Sequence, residues 1–388
     1  MGTRPLTTLR VCLLQVALAT TYILGILSPG SAVAAARSLA TFSVINDGGA
    51  LTDPRVVSFG QMFPKAAIRP GDPITVTLNG APIPSQLNAK AFYPDGTIRH
   101  AVVAIELPRM RSAEILSGRI TTSVWSFPYS HLAAAPDLHV DLHFQEAESL
   151  GQSVDIGLRA LIHSSTSPLS SPWLNGPLLS EQRYYAPIVN GIQVVFDVRR
   201  PAAGAPEVDV IIHNDLASDP DITTRIYDVR ITLAGRSVYS IQNFAQYAHS
   251  TWHKMVYCGG YPPPRIIPNF DLLVATGAIP RYLKLAPDPE AMRKLAQADP
   301  VRETTPLSPA GLTKYMPTTG GRADLGPLPT WAVFYLLDPS RQNRDTLFAD
   351  ADAAGSIPWH VRDPRTQGPI DIDAHPEVWL DGRSHAVP

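Results

Sequence analysis

From Ala40 to about Tyr257, apolar and polar residues alternate in short runs between tight turns. This pattern constrains the fold more than any other feature of the chain. Successive side chains of a strand point to opposite faces, so each run can cover a core with one face and meet water with the other. Ile74-Thr-Val-Thr-Leu78 alternates between Pro70-Gly-Asp-Pro73 and Asn79-Gly80, and Asn-Gly is a strong signal for a two-residue hairpin. Lys90–Tyr93, Pro94-Asp-Gly96 and Thr97–Ile105 read as a second hairpin, and Ile226–Leu233, Ala234-Gly-Arg236 and Ser237–Phe244 as another. Leu138–Phe144, Gly191–Arg199 and Val208–His213 read as further strands. No fixed-period repeat is present. Many short strands with Gly, Pro and Asn turns predict an antiparallel β-sandwich or barrel over residues 37–260.

The pattern changes at Tyr261-Pro-Pro-Pro-Arg265, a stiff linker composition. Beyond it, helices are predicted from Pro268 or Asn269 to Ala275, over Pro289–Ala298, over Leu328–Leu337, and from a Ser340 cap to Gly355. Short helices joined by Pro- and Gly-rich loops predict a helical domain over 261–388, the opening turns of an (α/α) toroid. Two or three helix pairs cannot close a ring, so the expectation is a truncated toroid. Trp331, Phe334 and Tyr335 are then expected to lack full cover.

Arg4 and Arg10, an apolar run from Val11 to Leu27, and Ala32-Val33-Ala34 follow the order of a Sec signal peptide. Residues 1–36 are therefore expected to be removed, the mature chain to start between Ala35 and Ser38, and the protein to be secreted or periplasmic. No later segment is apolar enough to anchor it in a membrane. Cys12 leaves with the signal, so Cys258 has no partner for an internal disulfide. A formal net charge of −2 without a basic block argues against nucleic acid or an anionic membrane as partner. Charged residues at 17% with 38 prolines suit a loop-rich extracytoplasmic β protein better than a helical cytoplasmic enzyme. Oligomeric state is not legible.

Residues 54–107, from Pro54-Arg-Val-Val-Ser-Phe-Gly-Gln-Met-Phe-Pro-Lys65 to Tyr93-Pro-Asp-Gly-Thr-Ile-Arg-His100 and beyond, resemble the N-terminal β-domain of large secreted bacterial proteins related to polysaccharide lyases. Tyr93 and His100 stand where that family has Trp. Met316–Gly326 and Ile357–Asp363 look like opening loops of the toroid that follows in the family. The resemblance implies a polysaccharide partner, either cleaved or only bound by a non-catalytic module or by a fragment of a longer enzyme. It names no particular sugar and does not separate lyase from hydrolase.

Four groups of residues then stand as candidates. In Gly320-Gly-Arg-Ala-Asp324, Arg322 could hold a uronate carboxylate in a bidentate pair with Asp324 orienting it, and Tyr315 lies just before. The plainer reading is a buried Arg–Asp pair fixing a loop. In Trp359-His-Val-Arg-Asp363, His360 could act as base, Arg362 could hold the enolate, and Trp359 and Asp363 could contact sugar. The plainer reading is a solvated loop. The composite expectation places Arg322 and Arg362 on one side of the helical region. Tyr247, His249 and His253 alternate onto one face if that stretch is a strand, the reading favoured by the preceding hairpin; on a helix His249 and His253 would share a face at i, i+4, the spacing that chelates zinc, and the plainer reading is polar residues at a domain interface. His139, Asp141 and His143 share one strand face and could bind a divalent ion, though a solvent face is the plainer reading. No cofactor is called for. Nucleophile and phosphate-loop motifs are absent.

Overall fold

The computed structural model describes residues 37–123, 127, 131–145, 151–164, 171–217, 222–281, 288–290, 293, 305–312, 328–363 and 365–376. Residues 1–36, expected to be a signal peptide, Tyr315, Arg322, Asp324 and most of the helix expected over 289–298 lie outside the described residues.

In chain order the first strands are β1 (Ser38–Ile45), β2 (Arg55–Met62), β3 (Ile74–Leu78), β4 (Ala81–Ile83), β5 (Ser85–Phe92), β6 (Ile98–Leu107) and β7 (Ile115–Thr122). There follow β8 (Leu138–Phe144), β9 (Ser153–Gly157), the short helix α1 (Leu158–His163), β10 (Leu179–Tyr185), β11 (Gln193–Pro201) and β12 (Glu207–Asn214). Next come β13 (Arg225–Leu233), β14 (Arg236–Gln246), β15 (Ser250–Tyr257) and β16 (Arg265–Pro268). Three described helices follow: α2 (Phe270–Ala275), α3 (Thr330–Leu337) and α4 (Arg341–Gly355). Every ladder between these strands is antiparallel. The Asn79-Gly80 and Ala234-Gly235 turns both take positive φ at their two residues, the backbone twist that suits a tight hairpin.

The strands close two hydrophobic cores among the described residues. In the first, the sheet β16-β1-β7-β3-β4 faces the sheet β2-β6-β5 across Val44, Val76, Ile120, Val103 and Ile105. In the second, β10-β11-β12-β15 faces β14-β13-β8-β9. Leu138, Val140, Leu142 and Phe144 of β8 meet Val194 and Phe196 of β11 and Val208, Val210 and Ile212 of β12 there, all essentially inaccessible. Each such side chain contributes about 1.5–3 kcal/mol by burial. The sequence places the change to helices at 261, whereas the structure places it after 268. Ile266 and Ile267 continue the β ladder, and β16 pairs with β1 from Phe42↔Pro268 to Ile45↔Arg265, so that β1 is no longer an open edge.

A seam ties the two cores together. Leu174, Leu178 and Leu179, leading into β10, bury themselves against Val56 and Ala104. Gln86 of β5 accepts from the Leu178 and Leu179 amides (2.9 and 3.0 Å) and donates to the Leu179 carbonyl (2.8 Å). Buried Arg55 pairs with Glu207 (3.4 Å) and donates to the Tyr261 carbonyl. Among the helices, α2 is capped by Asn269, whose side chain accepts from the Leu272 amide, and α4 by Ser340. α3 packs against α4 yet buries no residue fully, leaving Trp331, Phe334 and Tyr335 half-exposed.

Gly118 of β7 faces the Phe42 ring so closely that a Cβ there would lie 2.3 Å from it. Phe42 is itself held against Phe59, their ring centroids 4.8 Å apart. Gly118→Ala is therefore expected to cost about 1–3 kcal/mol through overpacking. A lowered urea midpoint with an unchanged slope is the expected result, and an unchanged midpoint would show that the ring moves aside freely.

Candidate functional site

β12 ends in the polar residues His213 and Asn214, and Asp215 follows it; Asn214 and Asp215 are almost wholly buried. A buried polar group must find partners, and each of these fixes a different piece of chain. Asn214 donates to the Thr223, Gln246 and Tyr247 carbonyls. Gln246 is also buried. It donates to the Ile212 and Ser250 carbonyls, and its side-chain oxygen accepts from the Tyr227 hydroxyl at 2.6 Å. These bonds shape the turn 247–249, where His249 takes a positive φ of 58°.

Asp215 holds the segment after α4. Its Oδ1 accepts from Arg362 Nε at 3.0 Å, and the backbones pair in both directions through Arg362 N–Asp215 O and Ala217 N–Arg362 O. Arg362 is 6% exposed and also donates from Nη1 to Gln193 Oε1 (2.6 Å) and to Gln367. Its Nη2 is buried without a hydrogen-bond partner among the described residues. Burial alone would raise the Asp215 carboxyl, but the hydrogen bond and charge of His213, then Arg362, outweigh it and hold it below the usual carboxylate range. The His360 amide donates to the His249 carbonyl (2.9 Å), and His249 Nδ1 donates back to the His360 carbonyl (3.2 Å).

Between this docked segment and the second sandwich lies a cleft of about 760 Å³. Arg183 and Tyr185 of β10, His213 and Asp215 form one wall, and Trp359, His360, Arg362, Gln367 and Ile372 the other. Trp359 is 60% exposed, an unusual position for so large an apolar ring. His360 Nε2 lies 2.8 Å from the Gly355 carbonyl, which can only accept, so Nε2 carries the proton and Nδ1 is the acceptor of the neutral ring. Arg183 is clamped on Asp197 by two bonds of 2.7 and 2.6 Å. The cleft thus offers an aromatic platform, two imidazoles and a phenol, with both arginines already ion-paired.

The structure brings His360, Arg362 and Trp359 to one cleft and places His249 directly behind it. Asp363 sits just outside, accepting from the Arg365 amide and pairing with Arg365. Arg362 faces Asp215 as an anchoring group, where the sequence suggests a free cation or a solvated loop. Tyr247, His249 and His253 do not share one strand face, because β15 begins only at Ser250 and the residues before it turn. Tyr247 is exposed, and His253 bridges Asp209 of β12 (2.8 Å) and Asp352 of α4 (3.1 Å) away from the cleft. On β8, His139 pairs with Asp155 and His143 with Ser153, and no group of three potential metal ligands occurs among the described residues. Cys258 is half-buried, its thiol pushed up to about 11, chiefly by burial. Sequence reasoning missed His213 and Asp215. The available signal was a polar His-Asn-Asp run closing an otherwise alternating apolar strand.

The site and fold define an antiparallel β protein with a cleft on its second sandwich. Residues 47–118, covering β2 to β6 and the start of β7, match the family model of the PcRGLX-like N-terminal RIFT barrel domain, which is related to rhamnogalacturonan lyases. A comparison with curated proteins finds no match.

The His253 bridge has a pH signature. Its hydrogen bonds to Asp209 and then Asp352 outweigh burial and push its pKa from 6.5 up to about 10. Arg199 also faces Asp209 and shares that carboxylate's field. A raised folded-state pKa means the stabilisation is complete below about 6.5 and is lost as pH climbs through about 10. The melting temperature should fall over that window in the wild type and fall less in His253→Asn. Parallel curves for the two proteins would show that the bridge contributes nothing.

Proposed function

We propose that the protein is an extracytoplasmic carbohydrate-active protein that binds a polysaccharide in the cleft under Trp359 and processes it by lyase-type elimination at a uronate residue. The observation that carries this reading is the exposed indole set beside two imidazoles in a cleft, in a chain whose first core matches a barrel domain related to rhamnogalacturonan lyases. Sugars present C–H faces that stack on aromatic rings, while their hydroxyls take hydrogen bonds from the polar rim. The signal-peptide order of residues 1–36 supports export. In this reading α3 and α4, with the half-exposed Trp331, Phe334 and Tyr335, are an opening pair of an (α/α) toroid. Tyr315, Arg322 and Asp324 are proposed as further contributors to the sugar path.

A binding-only role is the second reading. It is favoured by the pairing of Arg362 with Asp215 and of Arg183 with Asp197, which leaves both guanidinium groups less available to an acidic sugar.

The test is a panel of acidic and neutral polysaccharides, scored both for binding and for the ultraviolet absorbance of an unsaturated uronate product. Trp359→Ala is expected to weaken binding of the recognised polymer by about tenfold, equivalent to ~1.4 kcal/mol, with the melting temperature unchanged. Binding with no absorbance change would select the binding-only role. A panel without any bound polymer would sink both readings.

A further inference from the structure

We propose that His213, oriented by Asp215, is the proton acceptor of the cleft. The proposal rests on the reading of this cleft as a polysaccharide site, and it assigns the base to a residue that the sequence did not single out.

The geometry is that of an oriented imidazole. His213 Nδ1 lies 3.0 Å from Asp215 Oδ2 and 3.1 Å from Thr251 Oγ1. Asp215 is a buried carboxylate in an ion pair with Arg362 at 3.0 Å, and an ionised carboxylate only accepts. The Thr251 hydroxyl donates to the Ile212 carbonyl at 3.3 Å, which leaves its lone pairs to accept. Both partners therefore place the proton on Nδ1. In the neutral ring Nε2 is then the basic nitrogen, and His213 lines the cleft with Nδ1 already engaged. The second carboxylate oxygen of Asp215 is occupied by Arg362 Nε, so the carboxylate cannot turn away from the imidazole without breaking a buried ion pair. A nucleophile or base oriented by a third group in this manner is the general logic of a catalytic dyad. Arg362 Nη2 is a buried donor of a cleft-lining residue, with no hydrogen-bond partner among the described residues.

In an elimination, His213 Nε2 takes the proton on the carbon α to the uronate carboxylate. The electron pair of that C–H bond becomes the new carbon–carbon double bond, and the bond from the β carbon to the glycosidic oxygen breaks. The departing oxygen keeps the bonding pair and takes a proton from water. Atoms and charge balance without an oxidant or cofactor. Asp215 and Arg362 touch no reacting atom and are positioning residues.

The experiment uses the full mature chain. Long-range proton–nitrogen NMR of the imidazoles, with His213 assigned by the signal lost in His213→Gln, reads the tautomer without any substrate. Neutral His213 is expected with Nδ1 protonated and Nε2 bare, and Asp215→Asn is expected to erode that preference. A bare Nδ1 overturns the proposal whatever the polymer panel shows. On the polymer selected by binding, His213→Gln should lower turnover by at least about 100-fold, the scale of a lost general base, with affinity changed less than about twofold. It should also remove the acidic limb of the pH–rate profile. Unchanged turnover in His213→Gln overturns the assignment while the cleft's polysaccharide role stands. Absence of any bound polymer, with the expected tautomer present, overturns the polysaccharide role instead.

Discussion

A charge buried at the end of β12 organises this end of the molecule. Asp215 is 3% exposed, and a carboxylate in such a place is tolerated only when it is paired and hydrogen-bonded. Arg362 and His213 supply those bonds, and they come from opposite sides of the cleft. The requirement to neutralise Asp215 therefore brings the segment after α4 onto the second sandwich. With Arg362 fixed, His360 falls beside His249 and Trp359 is left standing in solvent. Removing one partner from such a buried pair typically costs about 3–5 kcal/mol, far more than an exposed pair contributes.

The three residues of the His213-Asn214-Asp215 run divide the work. Asn214 fixes the turn behind the cleft, Asp215 fixes its far wall, and His213 lines the cleft with its Nδ1 held by Asp215. Because His213 and Asn214 end one strand of a packed sheet and Asp215 follows directly, errors in their relative positions are small. That rigidity is what a site needs if it is to act by positioning groups rather than by closing around a ligand. The seam at Gln86 and Arg55 extends the same principle to the other core. There, buried hydrogen bonds and an ion pair join the barrel-like first unit to the sandwich that carries the cleft.

Most of the β architecture was legible. The alternation of Leu138–Phe144 and Val208–His213 and the Asn79-Gly80 and Ala234-Gly235 turns appear in the structure where local rules place them, because period and turn chemistry are short-range properties. The Asn269 and Ser340 caps were legible for the same reason. The division into two cores was not, since it depends on which sheets pair across hundreds of residues. Nor was β16, whose ladder with β1 joins positions more than two hundred residues apart. The site was half legible. Trp359 and His360 stood out by residue type. The role of Arg362 did not, because its partner is Asp215 at a separation of 147 residues and not the adjacent Asp363. Composition cannot distinguish an arginine that meets substrate from one that anchors a loop.

The central claim is that the Asp215–Arg362 pair docks the segment carrying Trp359 and His360. Hydrogen exchange of individual amides in Asp215→Asn tests it most directly, since the substitution keeps the shape and removes the charge. The Arg362, Ala217 and Ile370 amides, bonded respectively to the Asp215, Arg362 and Val361 carbonyls, are expected to lose at least about tenfold protection, ~1.4 kcal/mol of local opening. The Val194, Phe196 and Val210 amides of the core strands should keep theirs. Equal protection of the three docking amides in both proteins would contradict the account.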